Sequence, residues 1–166
     1  MVRTVWNVRG GMKKKCVPAG FSLIELMIVI ALIAIVTTFA VPTWQKYRAN
    51  TDLKSAAREV MADISDAKQR AVTENLDVYR MTFNTGGNSY ALSRTDGVTA
   101  GTWTKSLASY GTGIVINSVN FGGTVVSFNN RGTVTNGNLV LRNGLGSTAT
   151  ITVNITGRTY VEFAMQ

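Results

Sequence analysis

Apolar side chains fill the stretch from Phe21 to Pro42, which contains a single charge, Glu25. As a helix rising 1.5 Å per residue, this stretch extends roughly 33 Å, and the hydrocarbon core of a bilayer is about 30 Å thick. The pattern therefore predicts one membrane-spanning helix. Trp44 and Tyr47 follow it at the depth where aromatic side chains favour the membrane interface.

A second helical pattern continues beyond the apolar stretch. Apolar residues recur at steps of four, three, four, three and four, at Leu53, Ala57, Val60, Ile64, Ala67 and Ala71. This spacing draws one stripe along an amphipathic helix. We expect the helix to continue to about Glu74, with a bend at Pro42, and to bury this stripe against the following domain.

Charged residues form rows on the other side of this second helical segment. The rows are acidic at Glu59, Asp63 and Asp66 and basic at Lys54 and Arg58. The pattern predicts a solvated face with an ion pair between Asp66 and Arg70, four residues apart. The alternative is that the rows match charges on stacked neighbouring chains.

From Val78 onward the apolar period changes to two, which is typical of strands. Alternation around Ile151 and Val153 and again around Val161, with Thr156-Gly157 between them, predicts a C-terminal β-hairpin. The Asn136-Gly137 pair predicts a second hairpin. It would join residues 133–135 to residues 139–141. Further strands are predicted at residues 78–83, 89–94, 114–117 and 124–128.

Residues 97–113 are predicted to form a loop in which Trp103 and Tyr110 pack. These elements predict an α+β fold. In it, a long N-terminal transmembrane and amphipathic helix packs on a small antiparallel β-sheet domain.

The composition argues against catalysis. The chain has no histidine, and its single cysteine, Cys16, precedes the apolar stretch. The commonest general base and the usual transition-metal ligands are therefore missing beyond that point. We expect no enzyme activity, no cofactor and no metal site.

The net charge says less about binding partners than its value of +8 suggests. The formal charge is +8, and the first twenty residues contain five basic residues and no acid, so their removal leaves 8 − 5 = +3. A strongly basic chain ordinarily suggests nucleic acid or an anionic membrane as a partner. Here the N-terminal segment supplies most of the excess, and by the positive-inside rule it keeps the N-terminus cytoplasmic.

Three interpretations of the N-terminal segment compete. An ordinary signal peptide would be cleaved after the apolar stretch, near Thr38-Phe39-Ala40. A plain membrane anchor is the second interpretation, and it leaves Glu25 without a role. A charge inside a membrane helix costs about 2.5–3.5 kcal/mol on insertion scales, so it usually marks function.

The third interpretation is a resemblance. Residues 13–26, KKKCVPAGFSLIEL, closely resemble the class III leader of type IV prepilins and type II secretion pseudopilins. The resemblance implies that a prepilin peptidase recognises Gly20 and Glu25, cuts between Gly20 and Phe21, and methylates the new N-terminus at Phe21. It further implies that Glu25 pairs with the N-terminal amine of a neighbouring subunit and that Pro42 bends the helix. The leader's basic residues are Lys13, Lys14 and Lys15.

On this basis the chain divides into four parts. Residues 1–20 are a leader that is removed, and residues 21–42 are the transmembrane and assembly helix. Residues 43–75 continue the helix in amphipathic form, and residues 76–166 form a periplasmic β-rich domain. Translation from Met12 would give a leader of more usual length.

The later chain is similar to the GspH/FimT group of minor pseudopilins and minor pilins, through its β-rich tail and the segment TGRTYV at residues 156–161. This resemblance implies an H-type minor pseudopilin near the tip of a periplasmic pseudopilus that helps export folded proteins. The alternatives are a minor type IV pilin that primes pilus assembly, a group in which some members bind DNA for uptake, and a secreted or anchored soluble domain.

The implied partners are prepilin peptidase, other pilin or pseudopilin subunits, the inner membrane and, in the alternative, DNA. DNA-capturing members carry a further arginine where this chain has Tyr160, which weakens that alternative. The candidate DNA contacts are Arg131, Arg142, Arg158 and Tyr160.

Overall fold

The computed structural model describes residues 20–111 and 113–166 of the chain. The predictions for Lys13, Lys14 and Lys15 lie outside the described residues. The chain divides into two compact units, Met1–Ala40 and Val41–Gln166.

Helix α1, Leu23–Thr73, contains both helical patterns predicted from the sequence. It begins where the Ser22 hydroxyl accepts a hydrogen bond from the backbone N–H of Ile24 at 3.3 Å, an N-cap that satisfies one of the free amides of the first turn. Pro42 lies inside the helix without ending it, although it supplies no N–H to the helical hydrogen bonds. The predicted bend at Pro42 stays a prediction.

The C-terminal end of α1 is closed by a left-handed residue, Asn75, with φ of 53°. The N–H of Leu76 donates to the carbonyl of Ala71 at 3.0 Å, and the N–H of Asn75 donates to that of Val72 at 3.2 Å. This pair of bonds is a Schellman motif, in which asparagine takes the place that glycine usually occupies. The motif explains why the helix ends beside the predicted Glu74.

Eight strands form two antiparallel sheets. They are β1 Tyr79–Asn84, β2 Ser89–Arg94, β3 Trp103–Ser106, β4 Val115–Asn120, β5 Val125–Ser127, β6 Gly137–Arg142, β7 Thr148–Val153 and β8 Thr159–Ala164. The first sheet has the order β3-β2-β1-β5 and the second β4-β6-β7-β8. The α+β class is therefore confirmed, with two sheets around the core.

One hydrophobic core joins the second half of α1 to both sheets. The predicted stripe is fully buried, and its small alanines allow the strands to approach the helix closely. The sheets contribute alternate residues from each strand, such as Met81 and Leu92 from the first and Leu139 and Ile151 from the second. The predicted face of the helix is confirmed.

The predicted hairpin at Asn136-Gly137 is wrong. Strand β6 begins at Gly137 and pairs with β4 and β7, while Val134 only bridges Phe128. A Cβ at Gly137 would overlap the carbonyl oxygen of Asn120 on the neighbouring strand. Glycine is present because two backbones meet closely there, and the same residue pair is also typical of turns.

The predicted C-terminal hairpin is confirmed in β7 and β8, with a five-residue connection, residues 154–158, in place of a two-residue turn. Gly157 in this connection has φ of +72°. Its α-carbon lies so close to Lys68 of α1 that a Cβ would come within 2.7 Å of the lysine Cδ. The left-handed φ favours glycine here, whereas the lysine side chain is flexible and could move aside.

The loop predicted at residues 97–113 is partly wrong, because it contains β3 and a short 3-10 helix, Leu107–Ser109. Tertiary packing explains the difference. The Trp103 ring meets the Tyr90 ring edge-on at 5.6 Å between centroids, and Leu107 is fully buried. Trp103 and Tyr110 both pack against the core, as predicted.

Candidate functional site

The candidate assembly segment, residues 21–42, is the most exposed apolar part of the described chain. Phe21 is 88% exposed, and the apolar side chains from Leu23 to Val41 are also exposed wherever the structure describes them. α1 is long and apolar enough to cross a membrane, and its most apolar window has a mean hydropathy of 2.7 with nothing buried. These side chains are stable only in lipid or against other chains.

Glu25 is the single acidic residue in the first turn of α1. It stands three residues after the Ser22 cap, where the positive end of the helix dipole favours a carboxylate. The carboxylate forms no ion pair with any residue from 20–111 or 113–166. Gly20 and Phe21 precede it as exposed, non-helical residues, so the predicted cleavage point is accessible.

A charged cluster joins α1 to β3 and corrects the prediction of a solvated acidic face. Lys105 donates to Glu59 and to both carboxylate oxygens of Asp63 at 2.8 Å, and the Tyr90 hydroxyl donates to Asp63 at 2.7 Å. Asp63 is only 8% exposed. Its charge is satisfied inside the chain, because a carboxylate at this depth needs such partners. Only Asp66 keeps the predicted pair with Arg70, at 2.7 Å.

Burial and neighbouring charges shift the pKa values in this cluster. Burial lowers the pKa of Lys105, but the bonds to Asp63 and Glu59 outweigh it and raise the pKa above its ordinary value. Burial, together with the bond to Asp63, raises the pKa of the Tyr90 hydroxyl. The lysine is therefore charged and the tyrosine neutral across the physiological range.

A second charged group lies near the C-terminal end of α1. Arg94 donates to Asp96 at 2.6 and 3.1 Å, to Glu74 at 2.9 Å and to the Tyr79 hydroxyl at 3.0 Å. The bond from Arg94 lowers the pKa of Asp96 from 3.8 to about 2. The carboxylates of Glu74 and Asp96 both bond to Arg94, so this group holds the C-terminal end of α1 against β2.

The candidate DNA contacts do not form one patch. Arg131 and Arg158 lie next to Gly132 and Gly157, and both glycines pack against Lys68. Arg142 pairs with Thr148 at the opposite end of β6 and β7, about 17 Å from the end that leads to Arg158.

Tyr160, the fourth candidate, lies opposite Thr152 on the edge strand β8. The structure thus places the backbone next to Arg131 and to Arg158 near Lys68, and it separates Arg142 from this region.

Two family models match this chain. A family model described as type II transport protein GspH matches residues 56–157. The chain belongs to the GspH family. A second model, the prokaryotic N-terminal methylation motif, matches residues 18–41. The motif implies processing by prepilin peptidase, and members of this pilin-like superfamily are structural subunits of fibres.

Similarity to curated proteins covers shorter segments. The chain is 42% identical over 59 residues to a fimbrial protein of Pseudomonas aeruginosa, covering 36% of this chain and 38% of that protein. It is 31% identical over 93 residues to the type IV major fimbrial protein FimA of Dichelobacter nodosus (strain VCS1703A), covering 50% of this chain and 54% of FimA. The chain thus spans about half or less of these relatives. No solved structure gives a significant match.

Proposed function

We propose that this chain is an H-type minor pseudopilin of a type II secretion system, a structural subunit near the tip of a periplasmic pseudopilus. The observation that carries the proposal is the match of residues 56–157 to the type II transport protein GspH. These residues include most of the buried part of α1 and seven of the eight strands, so the match covers most of the folded domain as well as part of the helix.

The N-terminal segment supports the assembly step of this function. Before assembly, the apolar helix holds the subunit in the inner membrane, with the N-terminus cytoplasmic and the folded domain periplasmic. Prepilin peptidase cuts between Gly20 and Phe21, and Phe21 is methylated. The new amine then pairs with Glu25 of an adjacent subunit. Two opposite charges in a low dielectric relieve each other's desolvation only when the chains are in register.

The predicted division at residues 20, 42 and 75 follows from this scheme. Residues 21–42 serve as anchor and fibre contact, and residues 43–75 connect this segment to the domain at residues 76–166. Pro42 is the proposed bend. The apolar side chains of the assembly segment support this division, since they are exposed wherever the structure describes them.

A minor type IV pilin that primes pilus assembly is the second candidate, supported by the similarity to two fimbrial proteins. DNA uptake belongs to this candidate. Arg131 and Arg158, together with Lys68, would contact the phosphate backbone, and Tyr160 would stack on a base. The separation of Arg142 from them reduces the size of that contact.

Intact mass of the protein from its native membrane tests the processing step. A mass for residues 21–166 plus one methyl group is expected. A mass for residues 41–166 would show an ordinary signal peptide, and an unprocessed mass would show a plain anchor. Either result would overturn the assembly mechanism.

Deletion of the gene from its own host distinguishes a type II secretion system from a type IV pilus. The proposal expects folded exoproteins to accumulate in the periplasm while surface pili persist. Loss of pili with normal secretion would favour the type IV pilin instead. The Gly20→Ala variant is a control for both readouts, secretion and pili. It blocks the proposed cleavage while leaving the folded domain unchanged, so it should give the same result as the deletion.

A further inference from the structure

The outer face of the second sheet carries a row of uncharged polar side chains that crosses all four strands. Asn120 lies opposite Asn138, Asn138 opposite Thr152, and Thr152 opposite Tyr160. Directly opposed residues of antiparallel strands point to the same side of a sheet. The alternate residues, such as Ile151, point into the core, so this row faces outward.

The row forms the floor of an open groove of about 600 Å³, which Asn136 and Ile155 extend at the end of the sheet. Ligand sites in proteins typically measure about 300–1,000 Å³. A second cleft of about 540 Å³ shares Asn136 and Ile155 with the first, but it also contains the charged residues Asp77 and Arg80. The proposal therefore concerns the first groove.

The side chains of the groove floor are available to a ligand. Within the described residues, the amides of Asn120, Asn136 and Asn138 and the hydroxyls of Thr152 and Tyr160 take part in no side-chain hydrogen bond. Each amide offers two donors and an acceptor, and each hydroxyl offers both. Tyr160 is 50% exposed and Ile155 is 62% exposed, so an apolar surface lies beside these polar groups.

Among the residues that the structure describes, no charged side chain lines the first groove. A phosphate backbone or an acidic peptide is recognised chiefly through lysine and arginine, which this floor does not supply. Sugar rings match it better, because they are uncharged, present many hydroxyls and have apolar C–H faces that stack on an aromatic ring. Paired amides and hydroxyls beside one exposed tyrosine offer both kinds of contact.

We propose that this groove binds a neutral oligosaccharide, with Tyr160 stacking on one sugar ring and Asn120, Asn138 and Thr152 bonding to its hydroxyl groups. This function is separate from fibre assembly, since none of these residues belongs to the assembly segment. The features of the ligand that the groove specifies are an uncharged sugar ring, hydroxyl groups and an apolar ring face.

Full-length protein in a detergent without a sugar headgroup tests the proposal. Chitohexaose, cellohexaose and maltohexaose are titrated against it by calorimetry, with saturation-transfer NMR to show which ring protons meet the protein. At least one oligosaccharide is expected to bind saturably, with contacts on the ring C–H protons. A lack of binding by all three at millimolar concentration would overturn the proposal.

Matched variants locate the binding. Thr152→Ala and Tyr160→Ala should each weaken binding, by about tenfold for the tyrosine. Thr150→Ala is the control, because Thr150 lies on the same strand and the same face, one row away. Tyr160→Phe keeps the stacking ring and should retain most of the affinity. Because all three substituted positions lie outside the core, circular dichroism should show unchanged folding.

Two further outcomes would overturn the proposal. Oligosaccharide binding that is unchanged in both Thr152→Ala and Tyr160→Ala would place the ligand elsewhere. Salt-sensitive binding of a short single-stranded DNA that Tyr160→Ala abolishes, without oligosaccharide binding, would assign the groove to nucleic acid.

Discussion

The two halves of α1 are both rich in apolar residues, but they meet opposite environments. In the assembly segment the apolar side chains surround the helix and are exposed, whereas in the second half they form one stripe that is fully buried. The first half carries one carboxylate, Glu25, which forms no ion pair with the residues that the structure describes. The second half carries charges that are bonded within the chain, such as Asp63 with Lys105.

The comparison shows that the arrangement of apolar residues, more than their number, separates an intermolecular surface from an intramolecular one. A stripe can be covered by one domain, because only one side of the helix needs a partner. A helix that is apolar all round needs partners on every side, which lipid or a bundle of subunits supplies. Four predictions test this difference.

The largest effect is expected from Glu25→Ala. If Glu25 pairs with the amine of a neighbouring subunit, its removal leaves that charge buried and alone at a cost of about 3–5 kcal/mol per contact. Fibres should fall more than about a hundredfold while membrane insertion is unchanged. Cross-linking of this subunit to its neighbours in isolated cell envelopes, followed by immunoblotting, measures assembly, and alkaline extraction of membranes measures insertion.

Glu162→Ala is the control for this prediction, because Glu162 is an exposed carboxylate on β8, outside the helix. It should assemble like the unchanged protein. Normal fibres from Glu25→Ala would refute the pairing.

The next largest effect is expected on the free energy of unfolding, when a leucine is shortened in each half of α1. Leu53→Ala should lower the free energy of unfolding of the domain by about 2–5 kcal/mol, because it leaves a cavity in the core. Leu32→Ala should change it by less than about 0.5 kcal/mol, since Leu32 is exposed in the described chain. Urea unfolding followed through Trp103 fluorescence measures both, and equal losses would contradict the division.

A smaller effect is expected from the charged cluster. Lys105→Met leaves the buried Asp63 without its cation and should cost about 1–3 kcal/mol. Lys54→Met is the matched control, because Lys54 is half-buried on α1 and forms no ion pair with the residues that the structure describes. The same urea titration compares the two, and an equal change would show that the cluster stabilises nothing.

The smallest effect concerns pH. Arg94 lowers the pKa of Asp96 to about 2, so the pair stabilises the fold above the ordinary value of 3.8, and this contribution is lost as pH falls from about 4 to 2. Asp96→Asn lacks the contribution at every pH. The melting temperatures of the two proteins should therefore converge between pH 5 and pH 2, and a constant difference would refute the assignment.

Much of the helix was predictable from local sequence. The stripe spacing predicted which side of α1 would be buried, because every fourth or third residue returns to the same face whatever the helix packs on. The leader motif and Glu25 were predictable for a similar reason, since the motif consists of consecutive residues and does not depend on the fold. The strand faces around Ile151 and Val161 also followed from simple alternation.

Contacts between distant segments were not predictable in this way. The Asn136-Gly137 pair was interpreted as a turn because its close approach to Asn120 depends on which strand lies beside β6. Asp63 was expected in solvent because Lys105, its partner, is 42 residues away along the chain. Nothing local links them.

The sequence by itself determined the helix, its apolar stripe, the motif for processing and the alternation of the strands, because these depend on periods of a few residues. Only the tertiary structure decided the strand order, the partners of the buried charges and the row from Asn120 to Tyr160. The register between strands fixes that row, and register is set by how the whole core packs.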